Sequence, residues 1–243
     1  MLNDMSWAAR AITTTPDGSR PAPRQRRRSL YDVLKNIILW IFYLQNIRVE
    51  IVGADNIPLT GGVVLAPNHR AYYDVIPVSC PLQLRGDRKP RYMLKKEAFA
   101  TRWITKLFVE LGGIAVDRTP GRGQESFSAA VEALQDGEVV AVFPQGTIRH
   151  DREVGALKSG AVRMAAQSGA VIVPVGCAGT QKLWTKGERP RLWGRRVTVQ
   201  VVVGEPVRVA PDADVAAVTA DLQSRMQEVK DRADRADRDY SGR

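Results

Sequence analysis

Residues 63–74 read Val-Val-Leu-Ala-Pro-Asn-His-Arg-Ala-Tyr-Tyr-Asp, an apolar run that ends in a cluster of polar side chains. The run at 63–66 is typical of a buried strand. Further β-rich runs alternate in several places with helix-like stretches, which predicts a single α/β domain with a mixed, mainly parallel sheet flanked by helices. The β-rich runs lie at 48–52, 91–94, 114–116, 139–143, 171–175 and 197–203, and the helix-like stretches at 125–135, 157–167 and 215–230.

An N-terminal amphipathic helix is predicted at residues 30–46. Its apolar residues recur at intervals of four and three, which places them on one helical stripe. The fully apolar run at 37–44 is too short to cross a bilayer, which needs about 20 residues. Two interpretations stay open: a helix packed on its own domain, or a helix lying in a membrane interface. The stripe consists of Leu30, Leu34, Ile37, Ile41 and Leu44.

The chain divides into four predicted parts. Residues 1–29 form a flexible basic arm, because the prolines, small polar residues and arginines of this segment cannot bury enough apolar surface. The helix at 30–46 follows, then the α/β domain at 47–210, then a C-terminal helix and charged tail at 211–243. Repeated Asp-Arg-Ala triplets predict an exposed end of that last helix, with ion pairs four residues apart. The predicted pairs are Asp231 with Arg235 and Asp234 with Arg238.

The charge indicates an anionic partner. The 243 residues include 36 Lys and Arg against 26 Asp and Glu, a formal charge of +10. Three basic segments, at 20–28, 85–96 and 182–196, are interpreted either as solvated loops or as one face toward anionic lipid. Nucleic-acid binding is not expected, because no zinc finger, RNA-binding motif or helix-turn-helix pattern accompanies the charge.

Cysteine and histidine usage restricts the kinds of site. Cys80 and Cys177 cannot build a disulfide framework, and a reducing, cytosolic setting is expected. With His69 and His150 as the two histidines, a multi-histidine metal site is excluded, and His150 is assigned to a solvated loop. No metal or other cofactor is predicted. Residues 1–29 lack the continuous apolar core of a secretory signal.

A histidine–carboxylate pair is the main candidate for chemistry. His69 follows a predicted strand, and Asp74 stands five residues later. Such a carboxylate can hold one ring nitrogen and leave the other basic, which makes a general base. The sequence has no G-x-S-x-G elbow, and neither cysteine has a nearby histidine in sequence. We therefore expect His69 to activate the hydroxyl of the substrate for direct attack.

Three further blocks carry candidate binding residues. Residues 112–118 place glycines before a short strand and Arg118 after it. Residues 142–149 run from a strand into a glycine-containing loop, which can present backbone N–H groups to a phosphate beside Arg149. Residues 157–161 open a predicted helix, whose N-terminus favours phosphate, and include Lys158.

In this order the blocks resemble the glycerolipid acyltransferase family, typified by 1-acylglycerol-3-phosphate acyltransferases. The resemblance runs from about residue 51 to residue 204. Asn68, His69 and Asp74 match the family's N-H-x-x-x-x-D motif in full. The second motif is matched at Lys95, Lys96, Glu97, Gly113, Ile114, Asp117 and Arg118, the third at Phe143, Pro144, Gly146 and Thr147, and the fourth at 173–175.

The resemblance implies a membrane-associated enzyme without a cofactor. It would transfer a fatty acyl group from acyl-CoA or acyl carrier protein to the hydroxyl of 1-acylglycerol 3-phosphate, giving phosphatidate in phospholipid biosynthesis. Other acceptors stay open: glycerol 3-phosphate, another lysophospholipid or a lyso-aminolipid. The expected location is the cytoplasmic face of the cell membrane, in a peripheral or an interfacial position.

The resemblance also implies roles for individual residues. His69 would be the general base and Asp74 its orienting partner. Gln145 stands where the family usually has glutamate, and Ile148 where it usually has arginine, with Arg149 one place later. The residues predicted to bind substrate are Asn68, Arg118, Gln145, Gly146, Thr147, Arg149 and Lys158.

Overall fold

The computed structural model describes residues 12–14, 30–86, 88–95, 108, 112–117, 123–149, 151, 153–191, 193–194 and 196–241. The strands are β1 (Ile12–Thr14), β2 (Ile47–Val52), β3 (Val63–Pro67), β4 (Pro90–Lys95), β5 (Ile114–Val116), β6 (Val139–Ala141), β7 (Val171–Ala178) and β8 (Val197–Val203). The helices are α1 (Leu30–Leu44), α2 (Val75–Leu84), α3 (Gln124–Gln135), α4 (Gly160–Ser168) and α5 (Val215–Ser241).

These strands form one sheet in the order β1-β2-β8-β7-β3-β6-β4-β5. Neighbouring strands run parallel, except for β7 and β8, which are antiparallel. The predicted α/β fold with a mixed, mainly parallel sheet is therefore confirmed.

The central strand β3 supplies side chains to both layers of the core. Val63 and Leu65 face the layer that contains α1 and α2, whereas Val64 and Ala66 face α3, α4 and α5. Successive side chains of a strand point to opposite faces, and burial on both faces explains why the strand is apolar at every position. The carboxyl end of β3 is thus enclosed by helices on both sides.

Helix α2 was not predicted as a helix. Pro77 and Pro81 obscure its pattern, yet the chain enters it directly from a 3-10 turn at Tyr72–Asp74. Proline in a first helical turn removes no internal hydrogen bond, so Pro77 is compatible with the helix. Val78 and Leu82 are fully buried against the sheet.

Helix α1 divides its apolar residues between the core and the surface. Leu39 and Phe42 are buried against the domain. Ile37, Ile41 and Leu44 of the predicted stripe are 46%, 36% and 46% exposed. The helix therefore packs on its own domain, as one interpretation had it, and keeps a second apolar face uncovered. No helix in the described parts of the chain is long and apolar enough to span a membrane.

The prediction of a fully exposed end for α5 is wrong, and the predicted partner of Asp234 is wrong as well. The helix continues to Ser241, and Ala233 is fully buried. Asp234 pairs with Arg70 and Lys230 instead of Arg238. Gly176 permits this close packing, because a Cβ there would lie 2.2 Å from the carbonyl oxygen of Val229 in α5.

The predicted N-terminal arm lies mostly outside the described residues. Its one described segment is β1, which pairs in parallel with β2. The proposed division of the chain into four parts otherwise stays a prediction.

Candidate active site

The His69–Asp74 pair forms at the carboxyl end of β3. The Nδ1 atom of His69 lies 3.0 Å from Oδ2 of Asp74, whose side chain is fully buried. The 3-10 turn at Tyr72–Asp74 returns the carboxylate toward the histidine. Because Nδ1 faces the carboxylate, Nε2 is the ring nitrogen available to a substrate. The imidazole also stacks on Phe143, with 4.1 Å between the ring centroids, which limits its rotation.

Asp74 is held by donors at both carboxylate oxygens. Oδ2 accepts the backbone N–H groups of Arg70 at 2.6 Å and Ala71 at 2.8 Å. Oδ1 accepts the hydroxyl of Thr180 at 2.5 Å. Charge-assisted hydrogen bonds of this kind are stronger than neutral ones, and they compensate the burial of a carboxylate. The sequence analysis missed Thr180, which lies 106 positions from Asp74 and belongs to no recognised pattern.

Asn68 has a structural role in this site, because its side chain joins the segment after β3 to strand β7. It is 1% exposed, and its amide nitrogen donates to the carbonyl oxygen of Cys177 at 3.1 Å. Its amide oxygen accepts the N–H of Cys177 at 2.7 Å. Both ends of the amide are therefore occupied by β7, which corrects the prediction that Asn68 binds substrate.

Gln145 and Arg149 fix the backbone of the histidine. The Gln145 side-chain oxygen accepts the N–H of His69 at 3.0 Å, and the N–H of Arg149 donates to the carbonyl oxygen of His69 at 2.9 Å. The guanidinium of Arg149 lies over Gly155, 3.4 Å from Asp151. The loop after β6 thus holds His69 from both sides, and the Arg149 side chain is not among the described residues that line the adjoining cavity.

A cavity of about 520 Å³ opens in front of His69. The predicted residues Gly146, Thr147 and Lys158 line it. Gly146 has a positive φ of 71°, and the Lys158 side chain lies across it, since a Cβ at 146 would be 3.1 Å from Lys158 Cε. The helix α4 begins at Gly160, three residues later than predicted, so Lys158 lies in the loop before it. Arg118 lies outside the described residues.

Two further lysines line the same cavity. Lys95 ends β4, and Lys186 belongs to the loop after β7. Both were placed in basic segments by their charge, but Lys186 was not predicted as a site residue. Apolar side chains cover much of the remaining wall, including Met93, Phe127 and Met164. The cavity therefore combines positive charge with an apolar surface beside the imidazole.

A smaller apolar cavity of about 180 Å³ lies between α1, α2 and β4. Leu34 and Ile38 line it from α1, and Ile76 lines it from α2. Val75 lines both cavities, so the smaller one adjoins the space in front of His69.

Neither cysteine is positioned to act as a nucleophile. Cys80 and Cys177 are both fully buried. Burial raises the pKa of the Cys177 thiol well above its ordinary value, and the nearby Asp74 carboxylate raises it further. The thiol therefore stays protonated at neutral pH, while a reactive cysteine needs a lowered pKa.

Comparison with known proteins identifies a family. The family model described as Acyltransferase matches residues 48–178. The chain belongs to the acyltransferase family. The predicted resemblance and the prediction of an acyltransferase are thereby confirmed.

Individual relatives of this acyltransferase agree in name. It is 30% identical to the 1-acyl-sn-glycerol-3-phosphate acyltransferase of Bacillus subtilis (strain 168), over 84% of this chain and 99% of that protein. It is 29% identical to the human 1-acyl-sn-glycerol-3-phosphate acyltransferase alpha, over 81% of this chain and 69% of that protein.

A solved structure agrees in fold. The crystal structure of the 1-acyl-sn-glycerophosphate (LPA) acyltransferase PlsC from Thermotoga maritima matches 83% of this chain and 79% of that one. The TM-score is 0.64 and the sequence identity is 21%. The likeness supports the architecture of the sheet and its flanking helices.

Proposed function

We propose that this acyltransferase transfers a fatty acyl group from a thioester to the hydroxyl of 1-acylglycerol 3-phosphate and releases phosphatidate. The observation that carries the proposal is the buried Asp74 carboxylate on Nδ1 of His69, with the imidazole at the wall of a cavity that holds lysines. The names of the relatives support the same acceptor.

The geometry of the pair supports a direct acyl transfer. His69 Nε2 takes the proton of the acceptor hydroxyl as its oxygen attacks the thioester carbonyl. Asp74 stabilises the imidazolium that forms. The carbon–sulfur bond then breaks, and the departing thiolate receives the proton from the imidazolium. The acyl group passes directly between the two substrates, in keeping with the burial of both thiols.

The acceptor phosphate is assigned to the lysines of the cavity. Lys95, Lys158 and Lys186 each contribute positive charge at its wall. Lysine binds phosphate as a flexible point charge, which suits a mobile lipid headgroup. Arg149, which was predicted to bind the phosphate, is not assigned to it, because its side chain is not among the described residues that line the cavity.

The acyl thioester donor is acyl-CoA or acyl carrier protein. Its chain is assigned to the apolar wall of the larger cavity and to the smaller cavity behind Val75, because apolar surface favours burial of a hydrocarbon. No cofactor takes part in the proposed reaction.

Attachment to the cytoplasmic face of the membrane is proposed through α1. Its uncovered apolar face includes Trp40 at 52% and Tyr43 at 54% exposure, residue types that suit the headgroup region. The basic segments add attraction to anionic lipid. Replacing Ile37 and Trp40 with Ser should lower co-sedimentation with anionic vesicles, whereas Leu59→Ser, at an equally exposed leucine outside α1, should not. Equal vesicle binding by all variants would contradict this attachment.

The function is tested by thioester consumption in mixed micelles. Purified protein is given palmitoyl-CoA or oleoyl-CoA with lysophosphatidate, and parallel reactions use acyl carrier protein donors and the other acceptors. Wild type should show acceptor-dependent turnover, and His69→Ala should lower kcat by about 10²–10⁴-fold, the usual contribution of a general base. Turnover that survives in His69→Ala would remove this base. Faster turnover of glycerol 3-phosphate or another lyso-lipid would reassign the acceptor.

A further inference from the structure

Arg70 connects the catalytic carboxylate to the C-terminal helix. Its backbone N–H donates to Asp74 at 2.6 Å, and its guanidinium lies 2.5 Å from Asp234 in α5. The residue directly after His69 is therefore anchored 164 positions away along the chain.

A second ion pair ties the same helix to the turn that contains Thr180, the donor to Oδ1 of Asp74. Lys182 lies in the 3-10 turn Thr180–Lys182, and its Nζ is 2.6 Å from Asp237. Since the Thr180 hydroxyl donates to Asp74, α5 is linked to both segments that hold the carboxylate. Asp234 and Asp237 lie three positions apart, on one side of the helix.

The Arg70–Asp234 pair is sheltered from water. The side chains of Arg70 and Asp234 are 18% and 17% exposed, and Lys230, which contacts the second oxygen of Asp234, is 3% exposed. The Arg225–Asp221 pair of the same helix is 43% and 50% exposed. Exposed ion pairs contribute little, whereas loss of one partner from a sheltered pair leaves an uncompensated charge.

From these contacts we propose that Asp234 is a positioning residue for the catalytic pair, acting through Arg70. Asp234 fixes the Arg70 guanidinium and thereby the backbone of Arg70. The backbone N–H of Arg70 in turn holds the Asp74 carboxylate in line with Nδ1 of His69. Asp234 touches neither His69 nor Asp74 directly, and it lies outside the part of the chain that the family model matches. The proposal rests on the proposed acyl transfer by His69.

Positioning and substrate binding are separable in kinetics. Misalignment of the carboxylate weakens stabilisation of the imidazolium, which forms only during the reaction, so kcat should fall while both KM values stay unchanged. The variant Asp234→Asn keeps the size of the side chain and removes its charge. We expect about a tenfold lower kcat, with the KM for donor and acceptor within twofold of wild type.

A double-mutant cycle tests the path through Arg70. Arg70→Met alone should lower kcat to a similar extent, and the variant with both changes should be no slower than the slower single variant, because the residues act as one unit. Asp221→Asn is the matched control, since it removes the exposed carboxylate of the same helix. It should leave kcat at the wild-type value.

Hydrogen exchange gives a readout that does not require activity. In Asp234→Asn the amides of Arg70 and Ala71, which donate to Asp74, should exchange at least threefold faster than in wild type or Asp221→Asn. Urea unfolding confirms that each variant is folded. If Asp234→Asn does not fold, Asp234→Glu keeps the charge but moves it by one methylene, and it should show the same kcat loss to a smaller extent.

The outcomes separate this proposal from the proposed function. Multiplicative losses in the double variant, or a wild-type kcat in folded Asp234→Asn with unchanged exchange at residues 70 and 71, would overturn the role of Asp234. Either result would leave acyl transfer standing if His69→Ala is inactive. Absence of turnover in wild type, with the expected exchange difference, would instead reject the acyl transfer and retain the link from α5 to Asp74.

Discussion

Replacing Thr180 with valine removes the one hydroxyl that binds Oδ1 of Asp74 among the described residues. Valine keeps the size and branching of threonine, so the change isolates the hydrogen bond. A hydrogen bond to a charged group contributes about 1.5–3 kcal/mol, and here the carboxylate is fully buried. We therefore expect Thr180→Val to lower the free energy of unfolding by about 1.5–3 kcal/mol.

Activity should fall as well, because Oδ1 would no longer fix the rotation of the carboxylate. The two backbone donors remain on Oδ2, the oxygen that also faces His69. If the misaligned carboxylate stabilises the transition state by about 1.4 kcal/mol less, kcat falls about tenfold. Both KM values should be unchanged, since Thr180 does not line the cavity.

The assay combines urea unfolding with steady-state acyl transfer. Thr219→Val is the control, because the Thr219 hydroxyl donates to the Val215 carbonyl within α5, away from Asp74. An unchanged unfolding free energy and an unchanged kcat in Thr180→Val would refute the hydrogen bond as a support of the site. A higher kcat in Thr180→Val would also refute the reasoning. It would mean that the carboxylate stabilises the imidazolium better without the Thr180 hydrogen bond than with it.

Three further predictions concern the supports of the site. Asn68→Ala should lower the unfolding free energy by about 2–4 kcal/mol in urea titration, since it leaves the N–H and carbonyl of Cys177 unpaired, and Asn68→Asp should restore only the bond to the N–H. The pKa of Cys177 is raised in the folded state. The thiol therefore makes its whole contribution to the free energy of unfolding below the unfolded-state pKa of about 8.5, and this contribution is lost as the pH rises. Unfolding measured between pH 8.5 and 10 should therefore show a decline that approaches about 1.4 kcal/mol per pH unit for this thiol, and Cys177→Ala should lack that component. Gly176→Ala should lower the free energy of unfolding by about 3 kcal/mol in urea titration, because the added Cβ would lie 2.2 Å from the Val229 carbonyl oxygen. An unchanged free energy of unfolding would show that α5 shifts freely over β7.

Much of the sheet was predictable because its central strands, β3, β6, β7 and β8, are buried at every position. The runs at 63–66, 114–116 and 197–203 are rich in apolar and β-branched residues, and the strands fall at or within two residues of them. Helix α2 was missed because its prolines suppress the expected pattern, and its stability comes from tertiary burial of Val78 and Leu82. The strand order and the single antiparallel pair carry no local signal.

The His69–Asp74 pair was predictable because its spacing is local. A five-residue interval lets one turn join His69 to Asp74. Thr180, Lys186 and Asp234 were not predictable as parts of the site, since only folding brings them near residues 69–74. The same local view misjudged the end of α5. Asp234 does form an internal pair four residues away, but with Lys230, and its other partner is the Arg70 guanidinium, which only folding brings near.

The loop after β6 shows how a departure from the family pattern changes a binding site. Ile148, at the position where the family usually has arginine, lines the cavity, whereas Arg149 points over Gly155. The backbone N–H of Arg149 donates to the carbonyl oxygen of His69, while its guanidinium is not among the described residues that line the cavity. Among the residues described at the cavity wall, positive charge comes from lysines on three separate segments, and each lysine is a flexible point charge and not a planar fork. If the proposed acceptor binds at these lysines, changes of acceptor should arise there without disturbing the His69–Asp74 pair.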